Sequence, residues 1–347
     1  MAAGSLAVIF DVFLFLAGLA LAGMTLRDVF ETVVVPGANQ AFLRVAHRLI
    51  YILLPIWKAV RGRRRGLSGN FAPMVLVASF VLWISFLAIG FGLMIYALRG
   101  SFDPRPDHLG QAIYMAGSAV LTLGLNGEQA NGVGRWIVLG AGFCGLAAMT
   151  MAVTYLLEVQ SSVARRDTMI MKLNTSAGDP PSALTLLENF AAIGNLRELP
   201  ELLREGRNWC ATVRQSHSAH PSLIYFQTAG TGAGWPAALG TLLDLALILE
   251  YCVVDGELRG PALLLGADGS RLATGICAQT GLKIQPADAS PESFAQILER
   301  LARAKYPLRS DFDAAALAER RAQQQAPVEA IAKYLGKPSA LLVPPVA

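Results

Sequence analysis

Residues 118–129 read SAVLTLGLNGEQ, and the run from Thr122 to Glu128 is the stretch best suited to chemistry done by backbone alone. Thr122, Leu123, Gly124, Leu125, Asn126 and Gly127 carry no charge. The two glycines admit positive φ, so successive carbonyls can be turned toward one side. Such a stretch could be a backbone built to touch an ion. An ordinary loop between two apolar segments is the other reading of the same residues.

The remaining candidates are weaker. His217 and His220 in HSAH could ligate a metal from one helical turn, but Pro221 follows and no nearby cysteine or acid completes a site. Cys144, Cys210, Cys252 and Cys277 form no CxxC pair, so free reduced thiols are expected rather than a disulfide framework or a zinc site. GAGFCG at 140–145 matches GxGxxG in form, yet it lies in an apolar segment with no preceding strand, so a dinucleotide site is not expected. Its small residues would instead let helices approach closely. Asp244, Glu250 and Asp255, in or beside an apolar helix, read as a solvated face. No Ser-His-Asp set or carboxylate pair stands out, so neither an enzyme, a cofactor nor a nucleic-acid partner is expected.

The elements that would position these residues follow from composition. The chain has 347 residues, 54% hydrophobic and 16% charged, against roughly a quarter charged in soluble globules. Three stretches reach membrane length: 6–26 with one charge, Asp11; 74–98 with none; and 133–157 with none after Arg135. A hydrocarbon core of about 30 Å needs about 20 such residues in a helix. The first stretch lacks a basic leader, so a retained anchor is expected rather than a cleaved signal peptide. Arg27, Arg44, Arg48, Lys58, Arg61, Arg63, Arg64 and Arg65 crowd the first connector, whereas 99–132 holds only Arg99 and Arg105. The excess of positive charge on the cytoplasmic side then puts the amino terminus outside and the carboxy terminus in the cytosol of an inner membrane. Arg61, Arg63, Arg64 and Arg65 could also meet anionic lipid headgroups. Residues 41–60 read as a helix lying on the inner surface.

Beyond Leu157 a helical continuation leads to the linker NTSAGDPPS at 174–182. Helical periodicity marks 183–204, 237–254 and 292–304, the last after Ser290 as N-cap. The stretch 228–236 reads as a loop, GADGS at 266–270 as a turn, and 314–334 as an exposed or partly mobile helix.

Within the outer connector, Gln111–Leu121 is apolar and of helical length but too short to cross a bilayer. A half-helix entering from outside is expected there, and bare backbone at that depth must line protein or water. Span, half-helix, T-x-G and second span over residues 72–165 resemble the two-transmembrane pore module of the potassium-channel superfamily. That family's filter reads T-V-G-Y-G-D. The resemblance lays Thr122, Leu123 and Gly124 on T-V-G. Leu125 then stands where the family has tyrosine or phenylalanine. Either Asn126 takes the second glycine's place, or Asn126 is an insertion, Gly127 is that glycine and Glu128 takes the acidic place. Losing the ring at Leu125 removes a cuff of hydrogen bonds that braces the family's filter. Gly145 falls where the family's inner helix often has its gating hinge, with plain close packing as the alternative. DVFETVVVP at 28–36 is similar to a stretch after the first span of many bacterial ion-channel proteins.

The expected fold is an all-α membrane protein with three transmembrane helices, a re-entrant pore loop and a mostly α-helical cytosolic domain. Its segments are 1–71, an anchor with a basic interfacial segment; 72–165, the pore module; 166–182, a linker; and 183–347, the cytosolic domain. One pore loop cannot enclose an axis, so a homotetramer is implied. The resemblance implies passive potassium permeation, with Thr122 to Gly127 as the filter and Glu128 at its outer mouth. A non-selective or sodium-permeable channel and a non-conducting membrane receptor or scaffold stay open beside it, and the cytosolic ligand is left unnamed.

Overall fold

The computed structural model describes residues 2–35, 45–61, 71–125, 127–228, 232–285, 291–311 and 313–344. Three helices are long and apolar enough to cross a membrane: Ser5–Val33, Phe71–Ala97 and Val133–Ala177. The chain divides into two compact units, residues 1–159 and 160–347.

In the first unit, α1 (Ala2–Val33) packs against α3 (Phe71–Ala97). They meet through small residues: a Cβ on Gly18 would lie 2.4 Å from the Gly90 carbonyl oxygen, and Ala22 adjoins Gly90. Apolar helices in lipid gain little from mere burial, so close backbone approach supplies the dispersion energy that holds them. Polar contacts fix the two ends. Asp11 pairs with Arg99 at 2.6 Å, and the Arg99 guanidinium lies over the Tyr96 ring at 5.1 Å. Toward the other end Asp28, 1% exposed, accepts the Trp83 indole N–H at 2.8 Å. It also accepts Val45 N at 3.2 Å, the first residue of α2 (Val45–Arg61). Asp28 thereby joins three helices at one point. Trp57 near the far end of α2 stacks on Phe71, ring centroids 5.0 Å apart. Of the helix expected over 41–60, residues 45–60 are present in α2, while residues 36–44 and 62–70, and with them Arg44, Arg63, Arg64 and Arg65, lie outside the described residues.

The second unit is built around α8 (Gly234–Tyr251), in which every residue from Gly234 to Leu249 is buried. Around it pack α6 (Ala183–Ala192), α7 (Leu199–Ala219), α9 (Gly256–Thr280) and α11 (Ala314–Leu335), with α10 (Pro291–Arg303) against α6 and α11. Several expectations are corrected here. GADGS is no turn but the middle of α9. Its Gly269 lets α9 close on α8, since a Cβ there would come 2.9 Å from Leu243. Asp244 is not on a solvated face. It is 1% exposed, receives Arg321 at 2.8 and 2.9 Å and Gln325 Nε2 at 2.9 Å. That same contact draws α11 into the core, so the helix expected to be exposed buries Leu317, Val328 and Ile331. The single helix read over 183–204 is broken at Gly194 (φ 73°), which lets the chain reverse into a short 3-10 turn before α7. The helical continuation past Leu157 runs to Ala177, inside the stretch read as linker, and Ser290 lies outside the described residues.

Candidate functional site

The connector between α3 and the next long helix, α5 (Val133–Ala177), leaves and returns at one place. β1 (Phe102–Asp103) pairs antiparallel with β2 (Gln129–Ala130), placing Phe102 opposite Ala130. Asn131 N adds a bond to Ser101 O at 2.8 Å. Between the strands runs α4 (Leu109–Val120), whose 12 residues span about 18 Å at 1.5 Å each. It lies against α3 so closely that a Cβ on Gly92 would meet Ile113 at 2.7 Å. Ala112, Met115, Ala116, Ala119 and Val120 are buried in this contact, while Tyr114 is exposed.

The end of α4 is unusual. Thr122 N donates to Ala119 O at 2.9 Å and Leu123 N to Ser118 O at 2.8 Å. This double bond pattern caps a helix with a left-handed residue, a place normally given to glycine. The chain uses glycine there at Gly194, Gly281 and Gly336. At the end of α4 it uses Thr122, with φ 59°. Among the described residues the only other non-glycine at positive φ is Lys305, so Thr122 is the one β-branched example. That conformation costs about 1–3 kcal/mol, and Lys305 takes the same two-bond cap at the end of the helix that closes at Arg303.

Positive φ recurs at Gly124 (84°) and Gly127 (90°). Thr122, Leu123 and Gly124 are exposed, and no described residue donates a backbone hydrogen bond to the carbonyls of 122–125. Asn126 lies outside the described residues, so the two alignments of LNG stay open. Glu128 directly precedes β2 and is half-buried.

Behind the cap stands α5. A Cβ on Gly145 would fall 1.9 Å from the Val120 carbonyl oxygen, whereas one on Gly142 would stand 3.4 Å from Ala119 O. A side chain at 145 would overlap the Val120 backbone, so this contact requires glycine there. Gly140, Gly142 and Gly145 all lie within this helix. On its other side Trp136, Leu139, Phe143, Leu146, Val153 and Leu157 are exposed.

The other candidates gather no chemistry. His217 lies in α7 and His220 caps it, and no group of three metal-ligating side chains occurs among the described residues. All four cysteines are free. Burial pushes the Cys210 and Cys252 thiols up to about 12, which keeps them protonated and unreactive. The position sequence reasoning undervalued is Asp28. Its signal was an acid two residues after the first apolar run, at the start of DVFETVVVP.

Comparison with protein families, with characterised proteins and with solved structures finds no match to this chain.

Proposed function

We propose that the chain is a subunit of a homotetrameric, potassium-permeable channel of the potassium-channel superfamily, with 121–128 as its filter. The carrying observation is Thr122, held left-handed at the end of the short α4 and followed by Gly124 and Gly127 at positive φ. Strain at a β-branched residue fits a hydroxyl and carbonyls that must be presented to an ion. The C-terminal end of α4 adds its negative dipole end, which favours a cation. On this reading α4 re-enters from outside, the amino terminus faces out, and residues 160–347 lie in the cytosol of an inner-membrane protein. The exposed apolar residues of α5, spaced three, four or seven apart, would face lipid and neighbouring subunits.

Leu125 favours a second reading, a non-selective or sodium-permeable channel, because the family's bracing ring is missing there. Planar-bilayer recording of purified protein under opposed potassium and sodium gradients separates the two. A reversal potential at the potassium equilibrium value supports the first; one that ignores the potassium gradient supports the second. Intact tetramers that pass no current would make the chain a receptor or scaffold.

A further inference from the structure

Among the described residues, two buried side-chain atoms where α7 ends and α8 begins have no hydrogen-bond partner: His217 Nε2 and Trp235 Nε1. Native interiors leave few such atoms, and each costs the hydration it has lost. His217 and Trp235 are both 2% exposed, and their ring centroids stand 5.5 Å apart with the planes tilted 54°. The protonation pattern of His217 is fixed by its other nitrogen. Nδ1 lies 2.9 Å from Val213 O, which can only accept, so Nδ1 carries the hydrogen and Nε2 carries a lone pair. Burial, with Arg166 nearby, pushes the ring's pKa down to about 3, so it stays neutral near pH 7. Trp235 Nε1, by contrast, can only donate. Two groups of opposite sense lie together, and neither satisfies the other.

We propose that a single hydroxyl group sits between His217 Nε2 and Trp235 Nε1, donating to the first and accepting from the second. One oxygen bearing a hydrogen matches both demands at once. A carboxylate or phosphate would face the histidine lone pair, and a cation would face the indole N–H. Two bonds of about 2.9 Å let such a bridge join nitrogens up to about 6 Å apart. Water supplies this group, as does the alcohol of a small neutral molecule, and both use the same two bonds. The bridge ties the end of α7 to the start of α8. Gln279 of α9 reinforces the place by donating Nε2 to His217 O at 3.0 Å. This inference does not depend on ion conduction.

The test is a structure of the full-length protein fine enough to show ordered water. Density within hydrogen-bonding distance of both nitrogens is expected. A compact isolated peak means water. Extended density, with a hydroxyl-bearing compound found by mass spectrometry of the denatured protein, means a ligand alcohol. No density there, or a direct bond between the rings, overturns the proposal. A second arm replaces Trp235 by β-benzothienylalanine, which keeps the ring's shape and lacks the N–H. Loss of the density together with a lower Tm of the full chain is expected. An unchanged or higher Tm would mean that the N–H was buried dry, and the site would be withdrawn.

Discussion

Gly145 of α5 turns its Cα hydrogen toward the carbonyl oxygen of Val120, the last residue of α4, and a Cβ there would lie 1.9 Å from that oxygen. The foot of the candidate filter therefore rests on α5 backbone.

Gly145→Ala is expected to push α4 and α5 apart, since overpacking costs typically about 1–3 kcal/mol. Gly142→Ala meets Ala119 O at ordinary contact distance and should be mild. Thermal unfolding in detergent and bilayer currents check the pair. Equal behaviour of the two variants would remove the support role from Gly145.

Thr122→Gly relieves the left-handed strain and should stabilise the end of α4 by about 1 kcal/mol. Loss of the hydroxyl should at the same time abolish or relax ion selectivity, while Thr122→Ser retains more of it. A glycine variant with unchanged reversal potentials would show that Thr122 is only a cap.

Asp28 receives two buried donors, Trp83 Nε1 and Val45 N. Asp28→Ala strands both and should cost about 2–4 kcal/mol, whereas Asp28→Asn keeps an acceptor and should cost less. Thermal unfolding compares them, and protease sensitivity of α2 reports whether that helix has come loose.

Asp244→Ala leaves Arg321 charged and buried, so a loss of about 3–5 kcal/mol is expected. Replacing both by leucine should recover much of it. Denaturant titration of the two variants reads the difference; a double variant as weak as the single would point to a favourable pair.

His217 makes the second unit acid-sensitive. Its folded pKa, about 3, lies below the unfolded value of 6.5, so the unfolded chain binds the extra proton. Stability contributed by the neutral ring is complete above about pH 6.5 and falls by about 1.4 kcal/mol per pH unit toward pH 3. His217→Phe should flatten that slope in chemical denaturation between pH 6.5 and 4.

Patterns local in the chain were legible from it. The apolar runs gave all three long helices, and the length of 111–121 announced a helix too short to join them. Residues whose meaning depends on a distant partner were not legible. GADGS has the composition of a turn, yet its Gly269 serves a helix–helix contact with Leu243. Asp244 looks like any surface acid until Arg321, far along the chain, is brought against it.

The same division holds at the candidate site. By itself the sequence determined that a T-x-G run with two glycines follows a short apolar helix, because period and length are properties of neighbouring residues. Only the tertiary structure decided that Thr122 takes the left-handed cap and that Gly145 must lack a side chain. Both depend on where the end of α4 settles against other helices, and no local pattern encodes that contact.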